Sequence, residues 1–250
     1  MAALPLTATT LHVHRLFVPT HGASDWRRLL ADPAKHWRRG KSAYELAVAW
    51  EAASRTARGI PISIAGVLDS VPILRGATLV VGLPELQLDL PGGGHASQTD
   101  LWALLDTGER LVSMAVEAKA GERLGDTVGD WLAGGKPGNR RPVRLAALCQ
   151  RLAISDTGLE AVRYQLLHRV ASALIMAERF RARLAVLLIV SFDKDRDQES
   201  LKAFQHFGRL FNTTTGSGMI TELPGERDMP LYAGWVSAQP APCSDLELAV

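Results

Sequence analysis

Asp100 stands second in the run "TDLWALLD", and Glu117-Ala118-Lys119 closes the run "LVSMAVEAK". Two carboxylates and an ammonium at the ends of otherwise apolar stretches are the residue types of metal-assisted phosphodiester cleavage. Carboxylates supply hard oxygen ligands for a magnesium ion, which keeps several of its waters. Such an ion polarises the phosphate and helps ionise a bound water. A lysine beside it orients that water or offsets charge growing on the phosphate. Residues two apart in a strand share a face, so Ser113, Ala115, Glu117 and Lys119 point one way. Val112, Met114, Val116 and Ala118 point the other way and form the expected core set. A hairpin turning at Thr107-Gly108 brings Asp100 opposite residues 115–117. The alternative is a solvated salt bridge at a strand end, which contributes little.

The elements that must position these residues are legible along the chain. "SAYELAVAWEAASRTA" reads as a helix over 42–57, with Ser42 and Glu45 as a capping box and Leu46, Ala49, Trp50 and Ala53 as an apolar stripe. A short helix is expected after Pro61. "ELQLDLP", 85–91, alternates as a strand and ends at Pro91-Gly92-Gly93-Gly94. "TDLWALLD" and "LVSMAVEAK" flank "TGER" as a β-hairpin. "DTVGDWLAGG" and "PVRLAALCQRLAI" are short helices, and 158–180 is the longest helix. "LAVLLIVSF", 184–192, is the pattern of a strand buried on both faces. "DQESLKAFQHFGRLF" is helical, and "PLYAGWVSA", 230–238, is a last strand. Residues 1–20 read as an irregular arm or edge strand, and Pro33 interrupts any helix in the basic stretch after it. This order predicts an α/β chain with a mixed sheet and helices packed on it.

Asp100 followed by Glu117-Ala118-Lys119 after a hairpin resembles the D…(D/E)xK signature of the restriction-endonuclease-like nuclease superfamily, PD-(D/E)xK. That resemblance implies a core of helix, three antiparallel strands, helix and strand, here 42–192. A basic N-terminal arm, 1–41, would precede it and a helix and strand extension, 193–250, would follow, all within one domain. It implies Asp100, Glu117 and Lys119 as catalytic residues, with magnesium, or manganese in its place, held by Asp100 and Glu117 and helped by the Ala118 carbonyl. Many members add a glutamate from the first core helix, for which Glu45 or Glu51 is the candidate. They lie on different faces, so only one is expected to reach the site. Some exonuclease-like members carry a glutamine on the second core helix, where Gln165 stands. Thr99 occupies the place where a proline often precedes the first aspartate. The chain as a whole, especially "LPGGGHASQTDLW", "VEAKAGE" and "RYQLLHR", also resembles a bacterial family of uncharacterised proteins.

Other residues have quieter readings beside functional ones. Gln98 and Ser97 are placed to hydrogen-bond the metal ligands or a phosphate, or only to close a turn. Glu45 already has a capping role. Gln165, His168 and Arg169 share a helix face that is either part of a site or an exposed polar surface. "PGGGHAS" lacks the spacing of a nucleotide loop, although it would let a backbone approach a substrate. No zinc-ligand spacing and no nucleophile elbow occurs. The basic stretches "DWRRLL…KHWRRGK" and "GGKPGNRRPVR" could track a phosphate backbone, with Trp26 or Trp37 stacking on bases.

Composition sets wide bounds. The chain has 250 residues, 47% hydrophobic and 22% charged, with a net charge of +2, the balance of a soluble globular protein. Its pI near 8.7 is compatible with nucleic acid without demanding it. No apolar run reaches the roughly 20 residues of a membrane span. The N-terminus lacks a secretory pattern, and Cys149 and Cys243 read as free thiols, so a cytoplasmic location is expected. The expected function is metal-dependent hydrolysis of DNA phosphodiester bonds, with RNA and a homodimer left open. The alternative is an inactive nuclease-like fold that binds nucleic acid or serves in assembly.

Overall fold

The apolar runs pair as strands because each has two faces to bury. In the computed structural model, which describes residues 20–136 and 138–240, the elements in chain order are α1 (Pro33–His36), α2 (Ser42–Ser54), α3 (Ile62–Asp69), β1 (Thr78–Leu88), β2 (Ser97–Asp106), β3 (Leu111–Lys119), α4 (Val128–Ala133), α5 (Arg141–Leu152), α6 (Tyr164–Phe180), β4 (Leu184–Ser191), α7 (Gln198–Arg209), β5 (Met219–Glu222) and β6 (Leu231–Ser237). The strands form one six-stranded mixed sheet in the order β1-β2-β3-β4-β6-β5. β1, β2 and β3 run antiparallel, and β3, β4 and β6 run parallel. Among the described residues no helix is long and apolar enough to cross a membrane. The expected arm over residues 1–19 and the thiol of Cys243 lie outside the described residues.

Helices cover both faces of the sheet. On one face, Trp102, Ala115, Leu187 and Ile189 pack with Leu166, Val170 and Ala173 of α6 and Leu148 of α5. On the other, Val112, Met114 and Val116 of β3 and Leu188 of β4 pack with Leu46 and Trp50 of α2 and Ile64 and Leu68 of α3. The sequence pattern assigns only one face of β3 to the core, but both faces are buried. Ser113 is tolerated there because its Oγ accepts from Trp102 Nε1 at 2.8 Å and donates to the Ala173 carbonyl at 2.7 Å. Every residue of β4 is buried, as its continuous apolar run requires.

Several boundaries differ from expectation for local reasons. Pro33 divides the basic stretch, a 3-10 helix over Ala23–Leu29 ending before it, and itself begins α1, with Asp32 capping the Lys35 N–H. α2 ends at Ser54, where the Ser54 and Thr56 hydroxyls take the carbonyls of Glu51 and Ala53. The capping box does not form: the N-cap is Lys41, whose side chain makes no cap hydrogen bond, the Ser42 N–H goes to Glu122 Oε1 at 3.5 Å, and Glu45 instead accepts from the Gly40 N–H at 2.8 Å. α6 begins at Tyr164, because Thr127 bridges Arg163 and the Tyr164 N–H goes to the Asp126 carbonyl. β1 begins seven residues before its alternating stretch, and Pro84 is accommodated because β1 is an edge strand. β5, a four-residue edge strand, has no signal in the pattern.

Candidate active site

Strand register builds the site. β1 and β2 pair as Pro84↔Leu101 and Leu86↔Thr99, which sets Glu85 across from Asp100. β2 and β3 pair as Leu101↔Val116, so Glu117 lies one step on, beside Asp100. Three carboxylates from three adjacent strands therefore form a row at one end of the sheet. Glu85 holds a left-handed backbone with φ 51°, a conformation costly for a residue with a side chain and concentrated at functional sites.

Glu117 is the hub of this row. It is 2% exposed, its Oε1 accepting from Lys119 Nζ at 2.5 Å and Gln165 Nε2 at 2.7 Å. Its Oε2 accepts from Arg169 Nε at 2.5 Å. Asp100 Oδ2 accepts from the Ala118 N–H at 2.8 Å, and Glu85 Oε2 accepts from Gln98 Nε2 at 2.8 Å. The Ser97 hydroxyl lies 2.9 Å from His168 Nδ1 and accepts from Arg169 Nη1 at 2.8 Å. Beside this cluster is a cleft of about 380 Å³, lined among others by Gln98, Lys119, Gln165, His168 and Arg169. Gln165 Oε1, buried there, has no hydrogen-bond partner.

Two cations face three carboxylates, and the protons distribute accordingly. Burial opposes ionisation of Glu117, but the charges of Arg169 and Lys119 outweigh it and hold its carboxyl below the usual carboxylate range. Burial likewise opposes the Lys119 charge, but Glu117 and Asp100 keep its ammonium above the usual lysine range. Asp100 is pushed up to about 7, first by burial and then by the charge of Glu117. Glu85 is pushed up to about 8 by burial and then by Asp100. Burial, then Arg169 and Arg144, drive His168 well below the ordinary histidine value, so it is neutral.

Asp100, Glu117, Lys119, Gln98 and Gln165 thus come together, with Gln98 and Gln165 hydrogen-bonded to carboxylates of the row. Glu45 is engaged at the start of α2, and Glu51 accepts from the Thr20 hydroxyl and the Trp26 indole N–H. Trp26 is buried and cannot stack on a base. Trp37 meets Tyr44 edge-on, ring centroids 5.3 Å apart. Arg169 is buried within the site, not on an exposed polar face. Glu85 has no role in the sequence reading; only its register against Asp100 brings it in. Among the described residues no three of His, Cys, Asp and Glu are grouped to hold a metal. Asp100 and Glu117 are the carboxylates that could hold a hard cation.

The family described as "Domain of unknown function (DUF6946)" matches residues 19–240. The match spans most of the chain, and the chain belongs to that family. No curated protein and no solved structure matches it.

Proposed function

We propose that the protein is a magnesium-dependent phosphodiesterase acting on DNA, with a restriction-endonuclease-like core formed by α2, β1–β3, α6 and β4. The observation that carries this reading is the meeting of residues 100, 117 and 119. Asp100 accepts from the Ala118 N–H while Lys119 bonds Glu117. When bound, the magnesium ion supplies Lewis-acid polarisation of the phosphate and a more acidic water. Asp100 and Glu117 would hold it, helped, as the resemblance implies, by the Ala118 carbonyl. Binding would displace the proton that Asp100 retains near neutrality. Lys119, which bonds Glu117 in this structure, would offset charge on the phosphate or orient the water. Gln165 and Arg169 fix the Glu117 carboxylate, and Glu85 with Gln98 braces the Asp100 side of the row. Manganese fits the same oxygen donors.

The test is hydrolysis of linear and circular DNA, and of RNA, with magnesium or manganese. Wild type should cleave, and Asp100→Asn and Lys119→Ala should each reduce the rate by about 100-fold or more. A second reading is favoured by one observation: Glu117 is already met by two cations and an amide. Such a closed set suits an inactive nuclease-like fold that binds nucleic acid or serves in assembly. Nucleic-acid binding without cleavage under either metal, and no metal binding by calorimetry, would replace the first reading with the second.

A further inference from the structure

Beside the cleft lined by Lys119, Gln165 and Arg169, and sharing Ser97, Tyr164 and His168 with it, lies a second cavity of about 490 Å³. Its charged lining is entirely basic: Lys136, Arg140, Arg141 and Arg144 contribute, and no lining residue is acidic. Arg144 is the unusual member. It is 7% exposed and spends Nη1 on the His95 carbonyl at 2.6 Å. Its Nε and Nη2 are buried with no hydrogen-bond partner, and among the described residues it enters no ion pair. A buried guanidinium with two unused donors and no counter-charge is costly unless an anion completes it. The Tyr164 hydroxyl, lining the same cavity, is also buried without a partner. Arg144 is the donor within reach of that hydroxyl, and its proximity and then its charge oppose the rise that burial causes in the Tyr164 pKa.

The surroundings hold Arg144 in this state. The glycine loop after Leu90 presses against the first turns of α5: a Cβ on Gly92 would stand 2.5 Å from Arg144 Cα, and one on Gly94 3.5 Å from Arg144 Cζ. Both glycines have positive φ. The loop that fails as a nucleotide-binding motif therefore acts as a backstop for one arginine.

We infer that the Arg144 cavity binds a phosphate group with a free end, a phosphomonoester or inorganic phosphate dianion. Two adjacent guanidinium donors match two phosphate oxygens, and the Tyr164 hydroxyl and the exposed Lys136 and Arg140 add a donor and charge. A dianion suits a wholly basic lining better than a singly charged diester. A terminal phosphate has one substituent to lead out of the cavity, where an internal diester has two. The shared chemistry has two sources: free phosphate, or the phosphorylated end of a nucleic-acid strand whose next linkage enters the neighbouring cleft beside Lys119. The second source rests on the hydrolase reading above; the anion site itself does not.

Calorimetric titration of the full chain with inorganic phosphate, in metal-free chloride buffer, tests it. Wild type should bind at submillimolar phosphate, and Arg144→Gln should weaken binding by about tenfold or more. Lys136→Ala with Arg140→Ala, both at exposed positions, should weaken it severalfold and keeps the test sound if Arg144→Gln does not fold. Absence of binding by wild type, or affinity unchanged in both variants, overturns the inference. Short oligonucleotides with and without a terminal phosphate are then used to displace bound phosphate. Displacement only by the phosphorylated strand supports the site and assigns it to strand ends; displacement by neither, with phosphate still bound, supports it and assigns it to free phosphate. Displacement by both strands alike overturns the requirement for a free phosphate end. The titration contains neither metal nor diester, so failure of DNA cleavage leaves its outcome untouched.

Discussion

Glu117 is both the proposed metal ligand and the counter-charge that lets Lys119 and Arg169 be buried. Both of its ion pairs are almost wholly out of solvent. Removing one partner of such a pair leaves the other charges uncompensated, at about 3–5 kcal/mol. Glu117→Ala should lose that much stability in urea unfolding, and a loss under about 1 kcal/mol would mean that water already screens the pairs. Asp100 works in the opposite sense. Its folded pKa is raised to about 7 from 3.8, so the folded state binds that proton more tightly than the unfolded chain. The stabilisation is complete below about pH 4 and is lost as pH rises through about 7. Glu85, raised to about 8, adds to the same fall. Glu117, held low, loses its contribution only as pH drops below the usual carboxylate range. Metal-free wild type should therefore become less stable from pH 5 to 8. Asp100→Asn should flatten that fall, gaining about 2 kcal/mol over wild type at pH 8 after allowance for solvent contact. Parallel melting curves for the two proteins across this range would show that Asp100 holds no extra proton.

At the scale of elements, the glycine loop and α5 form a contact that no side chain can enter. Gly92 combines φ +84° with a Cβ position 2.5 Å from Arg144 Cα. Gly92→Ala should destabilise the chain by about 1–3 kcal/mol and weaken phosphate binding. Gly108→Ala, with open space at the hairpin turn, should cost only its backbone strain and leave phosphate binding unchanged. Equal effects of the two on phosphate affinity would break the link between loop and Arg144. The hairpin itself is legible in the sequence, because alternation, a Gly-containing turn and burial all agree there, and Leu111–Lys119 falls where the pattern places it. β1 is legible only in its second half. The alternating pattern starts at Glu85, just after Pro84, and nothing local says that an edge strand absorbs that proline. Arg169 stands four residues after Gln165, so helical spacing places them on one face, but whether that face meets solvent or the sheet depends on packing. Glu85 cannot be found locally at all, since its place depends on a pairing with β2 fixed by the whole strand.

Across the whole molecule, the sheet's first three strands supply the carboxylates and Lys119, and α6 supplies the second cation and the amide that organise them, with β4 locking β3 in parallel register. The folded chain thus carries a carboxylate pair that no local segment possesses, and an ion that binds it stabilises the fold as a whole. At a magnesium concentration 100 times its dissociation constant, linkage adds about 2.7 kcal/mol, or about 5–10 °C in melting temperature for a chain of this size. Protons compete for Asp100, because a ligand carboxylate must be ionised to bind metal. At a fixed magnesium concentration the shift should therefore grow from pH 6 to pH 8, the same interval over which the metal-free protein weakens. Asp100→Asn combined with Glu117→Gln should abolish the shift at both pH values. A shift in wild type that is pH-independent and survives in the double variant would place the ion elsewhere on the surface. No shift at either pH would mean that the Lys119 and Arg169 pairs with Glu117 are the finished structure of this site, and the fold would then be read as a module for binding rather than for catalysis.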